Sequence, residues 1–89
     1  MRLRPTIGRL PKKAEPDLRT KFGRRIRALR ETYGLTQEQL AERAEISVDF
    51  LSLIERGRSS PSFENLDALA SALERPVASL FTFPEGDGQ

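Results

Sequence analysis

The chain has 89 residues, with 15 Lys/Arg against 13 Asp/Glu, and it contains no Cys, His or Trp, which leaves room for one small domain. Without Cys or His there is no disulfide, no thiolate or imidazole metal ligand and no customary general base, which argues against an enzyme or a metalloprotein and for a chain that needs no cofactor. No run approaches the roughly 18 apolar residues of a membrane span, and the basic N-terminus lacks the apolar segment of a secretory signal, so the expectation is a cytoplasmic globular chain without membrane contact.

The net charge of +2 hides a division. Residues 1–34 carry 11 Lys/Arg and 3 Asp/Glu, whereas residues 35–89 carry 4 and 10. Such asymmetry points to a polyanionic partner for the basic half. A solvated helix face behind a basic tail accounts for it equally well.

Residues 1–16 read as a flexible basic arm, broken by Pro5, Pro11 and Pro16 and carrying Arg2, Arg4, Arg9, Lys12 and Lys13. From Asp17, a plausible N-cap, the steps between Leu18, Phe22, Ile26, Leu29 and Tyr33 define one helix face. Arg19, Lys21, Arg24, Arg25 and Arg27 fall on other faces and read as phosphate-facing, with simple solvation as the alternative. Gly23 costs about 0.5–1 kcal/mol in mid-helix relative to Ala, so close packing against another helix is expected there. Gly34 ends the helix.

Thr36 and Gln39 have the spacing of a capping box, and Leu35 and Leu40 that of a hydrophobic staple, which predicts a second helix from about Gln37 to Ala44. Glu45 is the turn. Ser47 caps a third helix, stapled by Ile46 and Leu51, facing inward with Leu51 and Ile54 and ending at Gly57. After the loop 58–62, Ser62 caps a fourth helix whose Leu66, Leu69, Ala70 and Leu73 share a face. Pro76 fits the first turn of a short fifth helix with Val77, Leu80 and Phe81. Residues 84–89 read as a disordered tail.

Two short capped helices joined by about four residues make a helix-turn-helix, in which the second helix puts its N-terminal residues against base edges in the major groove. The caps alone do not decide it, since any helical hairpin can carry them. The residues that do are Ile26-Arg27-Ala28-Leu29-Arg30, Gly34-Leu35-Thr36-Gln37-Glu38-Gln39-Leu40-Ala41, Ile46-Ser47 and Leu51-Ser52-Leu53-Ile54-Glu55-Arg56-Gly57, with Pro61, Leu66, Leu69-Ala70 and Leu80-Phe81. In these the chain resembles the Cro/repressor-type (XRE) helix-turn-helix domain of bacteria and their phages, over about residues 18–82.

The resemblance implies a compact, all-α, five-helix DNA-binding domain over residues 17–83. It implies that Gln37 bonds a DNA phosphate and braces the recognition helix, with Thr36 beside it among the DNA-binding positions. Ser47, Val48, Asp49, Phe50, Ser52 and Leu53 fall where the family reads bases. Arg56 and Arg58 fall where phosphates are met, and Arg24 and Arg25 are added from the basic cluster. Arg30 matches an arginine that commonly pairs with a glutamate at Glu55, as a structural clamp. The implied function is that of a transcriptional regulator, a repressor or controller protein, bound to double-stranded DNA as a homodimer on a pseudo-palindromic operator. The alternative is a protein-binding antitoxin or adaptor on the same fold.

Two features depart from the family pattern. Ser47 to Glu55 contains no Gln, Asn, Lys or Arg, so the bidentate readers of adenine and guanine are missing. Val48, Phe50 and Leu53 can touch thymine methyls and Asp49 can accept from a cytosine amine, at the risk of phosphate repulsion; alternatively Phe50 and Leu53 belong to the core. Glu74 stands where the family usually has Gly, which implies backbone strain. Phe81 and Phe83 are either exposed as a dimer seam or folded back onto Leu18 and Phe22.

Overall fold

The computed structural model describes residues 16–84. Apart from Pro16 and Pro84, the arm expected over 1–16 and the tail expected over 84–89 lie outside the described residues. Four α-helices follow in order, α1 (Leu18–Thr32), α2 (Gln37–Ala44), α3 (Val48–Glu55) and α4 (Phe63–Ala72), and a 3-10 helix spans Val77–Phe81. The fifth helix expected after Pro76 is therefore a 3-10 helix. It has five residues, Pro76 gives no side-chain cap, and only Leu80 is buried. So short a segment gains little from α-geometry, and 3-10 turns are used in pieces of this size.

Each α-helix starts on a side-chain cap. Asp17, Thr36, Ser47 and Ser62 accept from the backbone N–H of Thr20, Gln39, Phe50 and Asn65, respectively. In α2 and α4 the box is closed reciprocally by the Gln39 and Asn65 side chains. Each also ends the same way. A residue at positive φ is followed by an N–H that bonds back five residues: Leu35 to Arg30, Ile46 to Ala41, Arg58 to Leu53 and Arg75 to Ala70. Gly34 and Gly57 hold two of these left-handed positions, and Glu45 (φ 59°) and Glu74 (φ 58°) hold the others. The second pair bears the strain of a left-handed L-residue, roughly 1–2 kcal/mol each.

The core is built by Phe22, Ile26 and Leu29 of α1, Leu40, Ala41 and Ala44 of α2, Leu51 and Ile54 of α3, Leu69, Ala70, Ala72 and Leu73 of α4 and its C-cap, and Leu80. The ends of the α1 stripe escape it: Leu18 is 58% exposed and Tyr33 38%. Helix α1 packs on α3 and on the 3-10 helix, and α2 on α3 and α4. The α1–α3 approach depends on Gly23. A methyl group there would lie 2.6 Å from the Glu55 carbonyl oxygen and nearer still to that of Ile54, so the two backbones touch where a side chain would hold them apart. Phe81 folds back onto Phe22, with ring centroids 5.0 Å apart.

Candidate nucleic-acid interface

Helices α2 and α3 are joined by Glu45, Ile46 and Ser47, a turn made possible by the left-handed Glu45. Ile46 is partly buried against the core, as are Leu35 before α2 and both Val48 and Phe50 in α3. The two helices are thereby fixed to the same body at both ends of the turn.

A charged network locks their far ends together. Arg30 Nε donates to Glu55 Oε2 at 2.7 Å, and Arg30 Nη2 to Glu55 Oε1 at 3.1 Å. Gln37 Nε2 donates to the same Oε1 at 2.9 Å, and Arg30 Nη1 to the Leu35 carbonyl at 2.8 Å. The side chains of Arg30 and Glu55 are 12% and 3% exposed. The hydrogen bond to Glu55 raises the Arg30 pKa above the ordinary arginine value, against the desolvation that lowers it. The network ties the C-terminal end of α1, the entry to α2 and the last residue of α3 at one point, and it neutralises the Glu55 carboxylate.

Gln37 is held by this network at the first position of α2. An amide Nε2 has two hydrogens, and Glu55 takes one. Thr36 donates its N–H to Gln39 Oε1 and accepts the Gln39 N–H on its hydroxyl oxygen, which leaves the hydroxyl hydrogen to donate outward. Of the first N–H groups of α2, those of Gln39 and Leu40 are satisfied by Thr36. Those of Gln37 and Glu38 have no acceptor among the described residues, which is the arrangement that takes an anion at a helix start.

Along α3, Leu51 and Ile54 are buried and Ser47 and Asp49 exposed, while Val48, Phe50, Ser52 and Leu53 are intermediate. Phe50 and Val48 lean on the core, so what they offer outward is partial. Asp49, Ser52, Leu53 and Arg56 follow at steps of three, one and three and share the outward stripe. Arg56 and Arg58 are exposed just beyond the helix, Arg56 Nε resting 3.3 Å from the Ser52 carbonyl. Arg24 is exposed on α1. Arg25 is half-buried and donates through Nε to the Ser79 carbonyl at 3.0 Å, so its guanidinium ties α1 to the 3-10 helix. The structure thus brings together Thr36, Gln37, Arg30, Glu55 and the α3 stripe, and it directs Arg25 elsewhere. The Gln37–Glu55 bond and the Arg25–Ser79 bond have no local signal in the sequence, because they join residues 18 and 54 positions apart.

A buried core under two short helices, the first starting on open N–H groups and the second showing a polar stripe flanked by arginines, defines a helix-turn-helix DNA-binding domain. Residues 21–80 match the family described as "Helix-turn-helix domain", and the chain belongs to it, within the Cro/repressor-type (XRE) group.

The immunity repressor protein of Bacillus phage phi105 is 47% identical over 58 residues, covering 65% of this chain and 40% of the repressor. This chain therefore spans less than half of that relative. Among solved structures, the restriction-modification controller protein C.AhdI from Aeromonas hydrophila superposes with a TM-score of 0.70 at 38% identity, covering 71% of this chain and 96% of that one. The DNA-binding domain of the P22 c2 repressor superposes with a TM-score of 0.65 at 34% identity, covering 76% and 86%. These relatives are named for repression and control, none of them for an enzyme activity. No helix of the described residues is long and apolar enough to cross a membrane.

Proposed function

We propose that this chain is a sequence-specific, double-stranded DNA-binding regulator of transcription, of the repressor or controller kind, acting as a homodimer on a pseudo-palindromic operator. The observation that carries this reading is the mounting of α3. Its last residue, Glu55, is tied to α1 and to the start of α2 by the Arg30–Glu55–Gln37 network, and its outward stripe is flanked by groups that can donate to a phosphate, the open N–H groups of α2 on one side and Arg56 and Arg58 on the other. Gln37 offers a phosphate its second amide hydrogen, and Arg is the best phosphate fork. The names of the relatives support the same reading.

The dimer follows from what a single helix can do. Eight residues read too few base pairs for operator affinity, and two copies about 34–36 Å apart double the readout. A largely apolar cleft of about 180 Å³, lined by Leu18, Arg19, Phe22, Ser60, Pro61, Leu66 and Phe81, is the candidate surface for that second copy. Selection of bound duplexes from a random pool tests the reading. It should return two inverted half-sites about one helical turn apart. A single half-site would overturn the dimer, and no enriched sequence would overturn DNA recognition.

A further inference from the structure

The base-reading positions of α3 are not equally available. Val48 and Phe50 are partly spent on the core. The Ser47 hydroxyl oxygen accepts from the Phe50 N–H at 3.0 Å, which orients the group and leaves its hydrogen to offer outward as a donor. Ser52 and Leu53 are half-buried. Asp49 is exposed, lies in the first turn, and has no hydrogen-bond or ion-pair partner among the described residues. A first-turn acid is stabilised by the helix dipole, but that alone does not suit a surface meant for DNA, where a carboxylate is repelled by every phosphate.

Such a charge is tolerable in the major groove only where a donor meets it. A carboxylate only accepts hydrogen bonds. Guanine presents O6 and N7, thymine O4, all acceptors, and these repel it. Adenine presents an N6 amine beside the N7 acceptor, and cytosine an N4 amine with no acceptor on the same base edge. Cytosine is the base that a lone carboxylate fits. Leu53, four residues on and on the same stripe, has no polar atom and suits a thymine methyl.

We propose that Asp49 is the specificity-determining residue of α3, selecting cytosine at one position of each half-site by accepting from its N4 amine and rejecting the other bases by repulsion. The proposal rests on α3 being the recognition helix. It costs affinity toward all sequences alike and gains discrimination at one.

The test is selection from a random duplex pool by the full chain and its Asp49→Asn and Asp49→Ala variants, each first checked by a cooperative melting transition well above the assay temperature. The wild type should enrich one cytosine per half-site, roughly tenfold over the other bases. Asp49→Asn should move that position to adenine, which an amide reads through N6 and N7. Asp49→Ala should lose the preference there while keeping the rest of the motif, and should bind a random-sequence duplex several-fold more tightly. The same cytosine retained by Asp49→Ala overturns the proposal and leaves DNA recognition standing. No motif enriched by the wild type overturns both.

Discussion

Removing both members of the Arg30–Glu55 pair should cost less than the sum of removing each alone. In Arg30→Ala the Glu55 carboxylate, 3% exposed, keeps only the Gln37 amide of its three donors. A buried charge stripped of its partner costs about 3–5 kcal/mol. In Glu55→Ala the guanidinium is less deeply placed, at 12% exposed, and keeps the Leu35 carbonyl, so the loss should sit nearer 2–3 kcal/mol, below that buried-pair range. At roughly 4–8 °C per kcal/mol for a domain of this size, either change is worth about 10 °C or more in Tm. The double variant should lose less than the sum of the two, because the pair is coupled. The assay is thermal unfolding followed by circular dichroism for the wild type, both single variants and the double. Losses within about 0.5 kcal/mol, as for an exposed ion pair, or strict additivity, would refute the clamp. Tighter DNA binding by Glu55→Ala at unchanged stability would show Glu55 to be a lone repulsive charge.

Three further outcomes follow from other parts of the structure. Gly23→Ala forces a methyl group against the Ile54 and Glu55 carbonyls; it should cost at least the roughly 1–3 kcal/mol of an overpacked core and weaken DNA binding by displacing α3, as read by unfolding and a duplex titration. Gln37→Ala should weaken binding by about 1–3 kcal/mol, the range for a hydrogen bond to a charged group, and an unchanged affinity with intact fold would remove Gln37 from the interface. The Thr20 N–H bond holds the Asp17 carboxyl below its ordinary 3.8, so the stability it adds is full above pH 3.8 and lost as the pH falls through the lower folded value; Asp17→Asn, which keeps a capping oxygen, should flatten that acid limb of the unfolding curve.

Much of the fold is legible because its signals are local. The spacing of Thr36 and Gln39, the stapling leucines and the caps at Ser47 and Ser62 mark helix starts that the structure places within a residue. Gly23 is legible as a close approach because a mid-helix glycine needs a reason. The 3-10 geometry of Val77–Phe81 is not legible, since an apolar pentapeptide after a proline fits either helix. Nor are the outward ends of α1: Leu18 and Tyr33 continue the apolar period past the edge of the body they would pack on. In the interface, position in the motif marks the α3 stripe and Gln37. What joins Gln37 to Glu55, and turns Arg25 toward Ser79, depends on three-dimensional neighbours that no spacing rule reaches. Glu74 is legible as strained only through the family pattern, and its φ of 58° is the left-handed value that a glycine would take freely.

The central claim, that the start of α2 and the outward stripe of α3 together meet duplex DNA, is tested most directly by following the backbone amide resonances of the 15N-labelled chain as a duplex enriched by selection is added. The largest shifts should fall on Thr36 to Glu38, on Ser47 to Leu53 and on Arg56 to Arg58, with the 3-10 helix little changed by the DNA itself. Shifts concentrated on Leu18, Phe22, Leu66 and Phe81 with the α3 amides unmoved would contradict it.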